Sequence, residues 1–331
     1  MDGLPFLLLL LCSLLSLYTS TATAATPRIL IYSATRDFRH DSIPTAIEAL
    51  KANQATIGAE FDATEDEAQF TDSILASYDT ILFLSTTGEV LDSAGKDAFQ
   101  KYLDLGGTFV GIHSASDTLR NTTFYTRELG SLFDYHPALQ NFTVDVIDAT
   151  HPSTSMLPSE WHVQDEAYNF KSDPRVLGAV VILAANESSY MDTGVKQDQG
   201  TPHPLAWFQE KGAGVEAGGT PGRSFYTSLG HLNETWQDNL FLAHVFGGIS
   251  WVLEGNTTRA FNSSGQVGNA QAAASTMTSI SAGSSSAATS SGSASSSTTQ
   301  PTQTNAASNS MMLTLSSLIM TGSAPLLFAL L

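Results

Sequence analysis

One cysteine occurs in 331 residues, Cys12, and it lies in an apolar leader that reads as a removed segment. A thiol nucleophile, a disulfide framework and a thiolate metal site are therefore excluded from the remaining chain. Basic residues are also scarce, 14 Lys and Arg against 32 Asp and Glu, for a formal charge of −18. A surface so acidic repels phosphate backbones, which argues against nucleic acid as a partner. Gly212-Ala213-Gly214 lacks the strand–turn–helix setting and spacing of a dinucleotide fingerprint, so no NAD dependence is expected. No two histidines stand at H-x-x-x-H spacing, and the serines show no G-x-S-x-G elbow.

What is present begins with two unusual ends. Leu7–Leu17 is a short apolar core followed by Ala22-Thr23-Ala24, the pattern of a secretory signal peptide over residues 1–24. Residues 256–310 are dominated by Ser, Thr and Ala, and they read as a disordered, O-glycosylated stalk. Met311–Leu331 is apolar to the last residue, with small residues upstream. That is the pattern of a glycosylphosphatidylinositol anchor signal with Asn305 as the attachment site; a tail-anchored helix is the alternative. Six asparagine sequons, at Asn121, Asn141, Asn186, Asn233, Asn256 and Asn262, fit a secreted, cell-surface glycoprotein held to the membrane by lipid.

Between the ends, residues 26–255 read as one folded domain. Apolar runs at Arg28–Ala34, Glu60–Thr64, Thr80–Ser85 and Thr108–His113 predict strands. A helix capped by Asp41 or Ser42, and another over Ala94–Leu105 stopped by Gly106-Gly107, alternate with them. Strand–helix alternation predicts an α/β fold with a parallel sheet flanked by helices. Asn121–Glu160 lacks periodicity and reads as an excursion over the sheet edge. Further strands are expected at His162–Phe170, Val176–Leu183, Leu205–Phe208 and Ser224–Leu229, then a closing helix over Asn239–Leu253 in which His244 packs.

Polar groups cluster directly after these strands. Arg36–Ser42 follows the first, where Arg39 and His40 would meet a polarised oxygen at a helix start. His113-Ser114-Ala115-Ser116-Asp117 follows the fourth, and Gly230-His231 follows a later one. A parallel sheet would gather His40, His113 and His231 at one edge, with His136 able to join them. Histidines so gathered, with a carboxylate, suit either proton transfer or a divalent metal, for which His113, His136 and His231 are the candidates. The adjacent carboxylates Asp165 and Glu166 would point to opposite faces of a strand, so only one enters the site. Trp161, Trp207, Tyr168 and Tyr226 are either sugar-stacking aromatics or core residues.

Six blocks carry a resemblance: FRHDSIP (Phe38–Pro44), GGTFVGIHSASD (Gly106–Asp117), YHPALQNF (Tyr135–Phe142), QDEAYNF (Gln164–Phe170), PLAWF (Pro204–Phe208) and GRSFYTSLGH (Gly222–His231). In this order they resemble the ThuA-like (trehalose-utilisation) family over about Arg28–Glu254. The resemblance implies a flavodoxin-like, class I glutamine amidotransferase-like fold. In such folds the turn after the fourth strand holds a cysteine nucleophile; here it holds His113 and Ser114. It also implies a carbohydrate substrate, a keto-disaccharide or glycoside.

Two functions are expected on these grounds. One is an enzyme that removes a proton beside a carbonyl, with isomerase, lyase or hydrolase outcomes. His113, His231 and Asp165 are its catalytic candidates, and Arg39, His40, Ser114, Asp117, His136, Tyr168 and Arg223 its substrate-binding ones. The other is a non-catalytic carbohydrate-binding wall protein.

Overall fold

Short apolar runs separated by amphipathic helices build a sheet that is buried on both faces. The computed structural model describes residues 25–262 and Val267. The leader (1–24), the low-complexity stretch (270–310) and the apolar tail (311–331), including Asn305, lie outside the described residues. No helix among the described residues is long and apolar enough to cross a membrane.

The strands are β1 (Arg28–Tyr32), β2 (Glu60–Thr64), β3 (Thr80–Leu84), β4 (Thr108–Ile112), β5 (Phe133–Tyr135), β6 (Gln140–Val146), β7 (Glu160–Asp165), β8 (Asn169–Phe170), β9 (Val180–Ala185), β10 (Pro204–Gln209) and β11 (Ser224–Thr227). The helices are α1 (Ile43–Ala52), α2 (Asp72–Leu75), α3 (Ser93–Asp104), α4 (Thr123–Leu129) and α5 (Asn239–Leu253). Nine strands form one sheet in the order β2-β1-β3-β4-β11-β10-β9-β6-β7, and β5 pairs with β8 apart from it.

Two hydrophobic clusters cover the two faces, and they follow the two-residue period of the strands. Ile29, Ile31, Leu82, Leu84, Val110 and Ile112 face α1 and α5. Leu30, Tyr32, Ile81, Phe83 and Phe109 face α3 and α4. On the second face Phe83 stacks on Phe99 of α3 with ring centroids 5.3 Å apart. Gly111 permits close layering, because a Cβ there would lie 2.7 Å from Leu129 of α4.

The α/β sheet flanked by helices is as expected, and three finer expectations are corrected. The parallel part of the sheet runs from β2 through β11, and β10, β9, β6 and β7 extend it antiparallel. Antiparallel neighbours need no crossover helix, which is why the second half shows no strand–helix alternation. The expected excursion contains β6, a central member of that antiparallel half, whose alternation is masked by exposed residues such as Asn141. The strand expected over His162–Phe170 breaks at Glu166–Tyr168 into β7 and β8. At α1 neither expected cap acts: Ser42 makes no side-chain cap bond. Its hydroxyl instead donates to the Gly230 carbonyl at 3.3 Å, joining the loops that carry His40 and His231.

Candidate functional site

The parallel strands β1, β4 and β11 end at one edge of the sheet, where ligands bind in open α/β folds. The loop after β1 delivers His40, the turn after β4 delivers His113, and the loop after β11 delivers His231. Their ring centroids lie 4.5, 5.1 and 5.4 Å apart, for His40–His113, His40–His231 and His113–His231.

His113 stands at a sharp strand-to-helix elbow with φ 55°, a left-handed conformation unusual for a residue with a side chain. Such a conformation costs about 1–3 kcal/mol and persists only where neighbours enforce it. Tyr226 donates to the His113 carbonyl at 2.9 Å. His113 Nδ1 lies 2.7 Å from the Ser228 carbonyl oxygen. A carbonyl only accepts, so Nδ1 carries the proton and Nε2 presents a lone pair. Full burial and the neighbouring His40 lower the His113 pKa well below its ordinary value, which keeps the ring neutral.

His113 Nε2 faces His40 Nε2 at 3.0 Å. Burial and the His231 charge lower His40 to about 4, so it too is neutral at pH 7. Ser114 Oγ lies 3.4 Å from His40 Nδ1. The adjacent pair His113–Ser114 thus diverges, and Ser114 lies against His40. Tyr168, with its hydroxyl 3.1 Å from His113 Nε2, closes the inner side of the cluster.

The carboxylate of the site is Glu166. Its Oε2 lies 3.1 Å from His231 Nδ1 and 3.7 Å from His113 Nε2, and its Oε1 lies 3.4 Å from His136 Nε2. The Glu166 carboxylate raises the His231 pKa against the opposing effect of burial. Asp165 points elsewhere. Its Oδ2 accepts from the Gly230 amide at 2.9 Å and the His231 amide at 3.4 Å, and its Oδ1 from the Glu166 amide at 2.8 Å. Burial raises Asp165 to about 6. The two carboxylates diverge as expected, but the one facing the histidines is Glu166, because β7 ends at Asp165 and strand parity ends with it. Asp165 is a positioning residue that fixes the backbone of the His231 loop.

One donor atom each from His40, His113, His231 and Glu166 lie within 4.8 Å of one another. His₃Glu is a borderline donor set suited to zinc and related divalent ions. The His113 Nδ1 bond to Ser228 is the outer-layer hydrogen bond that orients a ligating imidazole. His231 Nδ1 is buried, and Glu166 Oε2, 3.1 Å away, is the near partner with which it would share a ligand. Against the expected trio of His113, His136 and His231, the structure puts His40 and Glu166 in the set. His136 lies outside it, on the far oxygen of Glu166.

Other expected site residues lie apart. Arg39 is committed to Glu65 through contacts of 2.7 and 3.2 Å. Asp117 is held by Arg120 through two contacts of 2.6 Å. Arg223 precedes β11, at the opposite end of the sheet, where it pairs with Glu210 and stacks on Trp251. Trp161, Trp207, Tyr168 and Tyr226 are all buried, so none offers a free face to a sugar. The exposed aromatic beside the cluster is Phe38, edge-on to His40 at 4.8 Å. Its position in the loop after β1 was the available signal, and loop length alone does not reveal exposure.

The molecule shares its fold with solved bacterial proteins. A ThuA-like protein from Bacteroides uniformis matches with a TM-score of 0.57 at 22% identity, covering 72% of this chain and 97% of that one. A ThuA-like protein from Parabacteroides merdae matches with a TM-score of 0.52 at 16% identity, covering 70% and 91%. No curated protein matches the sequence. The profile described as "ThuA: Trehalose utilisation" matches residues 28–252, all of β1 through nearly all of α5, and the chain therefore belongs to the ThuA family, a carbohydrate-related domain.

Proposed function

We propose that this protein is a secreted, surface-anchored enzyme that transfers protons beside a carbonyl of a keto-sugar or related glycoside, with a divalent metal at the histidine cluster. The observation that carries this reading is the convergence of His40, His113, His231 and Glu166 from four separate segments of the chain. His40 Nε2 and His113 Nε2, 3.0 Å apart, share one proton as a hydrogen bond, and with that proton moved to His40 Nδ1 both lone pairs can turn to a shared cation. A metal bound there would polarise a carbonyl oxygen.

The chain's own groups divide the remaining work. His113, wholly buried, holds and orients. His231, with 21% of its side chain exposed, sits beside Glu166 and borders a cavity of about 310 Å³. As a metal ligand it has no lone pair left for a base, so the proton beside the carbonyl is taken and returned by His136, which lies outside the ligand set, 35% exposed on the other oxygen of Glu166. The surface positions of Asn121, Asn141 and Asn256 are consistent with glycosylation on a secretory route.

The test is NMR of keto-glucosides incubated with the protein in heavy water, with and without chelator, beside the His113→Ala variant. Deuterium uptake or bond cleavage that needs both metal and His113 is the expected result. An unchanged spectrum with the metal-loaded protein in excess sinks the enzymatic reading and leaves carbohydrate binding as the function.

A further inference from the structure

The cavity beside His40 and His231 has a chemistry that narrows its ligand, and the argument rests on the carbohydrate reading above. It holds about 310 Å³, at the low end of the range for ligand pockets, enough for one or two sugar rings. Its mouth carries Phe38, whose residue surface is 65% exposed. The only other phenylalanine so exposed among the described residues is Phe261, which lies beside Pro27 and Leu253, away from the cluster. Phe38 is held in place: Thr87 Oγ1 donates to its carbonyl at 2.7 Å, and its ring abuts the His40 ring. A rigid, solvent-facing aromatic beside a polar cavity is the platform on which the apolar face of a pyranose ring can stack.

The charge of the wall is equally specific. Arg39 is its one Arg or Lys, and Glu65 neutralises it through two contacts. Asp41 and Glu234 also line the cavity and have no ion-pair partner among the described residues. The wall therefore presents hydroxyl acceptors and a net negative field, and its cationic groups, Arg39 and His231, are already held by Glu65 and Glu166 and not free to receive a phosphate or carboxylate.

We propose that this cavity is a subsite for a neutral pyranose ring stacked on Phe38, and that Asp41 and Glu234 exclude phosphorylated and acidic sugars. The test is NMR titration of the full chain, in chelator and at low salt, with methyl glucoside and trehalose against glucuronate and glucose 6-phosphate. Neutral sugars should bind at least tenfold more tightly, and Asp41→Asn with Glu234→Gln should narrow that gap. Phe38→Ala should weaken neutral sugars about three- to tenfold, while Phe38→Tyr keeps them. Equal affinity for acidic sugars overturns the exclusion, and an unchanged affinity in Phe38→Ala overturns the stacking. Neutral sugars that bind through Phe38 without deuterium uptake would leave the subsite standing and remove the reaction. Turnover of a keto-glucoside with the same KM in Phe38→Ala would do the reverse.

Discussion

Glu128 offers a quantitative test of how this fold handles a buried charge. It lies in α4 and is 1% exposed. Its Oε2 accepts from the Gly214 amide at 3.1 Å, and its Oε1 has no hydrogen-bond partner among the described residues. A Cβ at Gly212 would fall 2.2 Å from either oxygen, so the 212–214 loop closes directly over the carboxyl. Burial raises the pKa from 4.5 to about 8, and the nearby Asp104 adds to the rise. The unfolded chain releases this proton near pH 4.5, whereas the folded chain keeps it to about pH 8. Between those values the native state binds more protons, so stability must fall as pH rises, by about 1.4 kcal/mol per unit. The loss reaches about 5 kcal/mol by pH 8 and then stops growing. Urea denaturation of the wild type and Glu128→Gln at several pH values from 4.5 to 9 measures this. The variant's absolute stability depends on how its amide is accommodated, but the pH slope does not. The difference between the two proteins should swing by that amount in favour of Gln as pH rises. Parallel curves would refute the claim that the native carboxyl is neutral.

Other outcomes follow from the same geometry. Glu166→Gln should leave the fold intact and weaken metal binding at least tenfold by calorimetry, whereas Asp165→Asn should destabilise the domain by about 1–3 kcal/mol, because its new amide meets backbone N–H groups. Zinc or manganese at one hundred times its Kd should raise stability by about 2.7 kcal/mol, or about 5–10 °C in Tm, and His113→Ala should abolish the shift seen by scanning fluorimetry. His244 is fully buried, and burial lowers it to about 4 from 6.5; the unfolded form gains a proton first as pH falls, so about 3 kcal/mol should be lost between those values and recovered in a variant lacking the imidazole. Peptide mapping of the protein from a secreting host should find glycans at exposed Asn121, Asn141 and Asn256; bare asparagines at all three would count against the secretory route.

The sequence by itself determined the parallel half of the sheet. Runs such as Thr80–Leu84 and Thr108–Ile112 are apolar at every internal position apart from Gly111, and only a strand covered on both faces uses such a run. It also determined that His40, His113 and His231 share an edge, because in parallel strands the carboxyl ends coincide whatever the loops do between them. The order of the six blocks carried the family, and with it the elbow at His113.

Tertiary structure alone decided the rest. Which of Asp165 and Glu166 reaches the histidines depended on β7 ending at Asp165, a boundary set by pairing with Gln140 of β6 and not by local composition. Arg39 was lost to Glu65, 26 residues away, because β2 lies beside β1 and brings the loops that follow both strands together. Arg223 was displaced to the far end because it enters β11 where His231 leaves it. Phe38 emerged as the exposed aromatic beside the cluster only when the tryptophans proved buried. Spacing along a chain fixes which edge a residue reaches; which atoms meet there is set by long-range pairing, and that energy is written in no single segment.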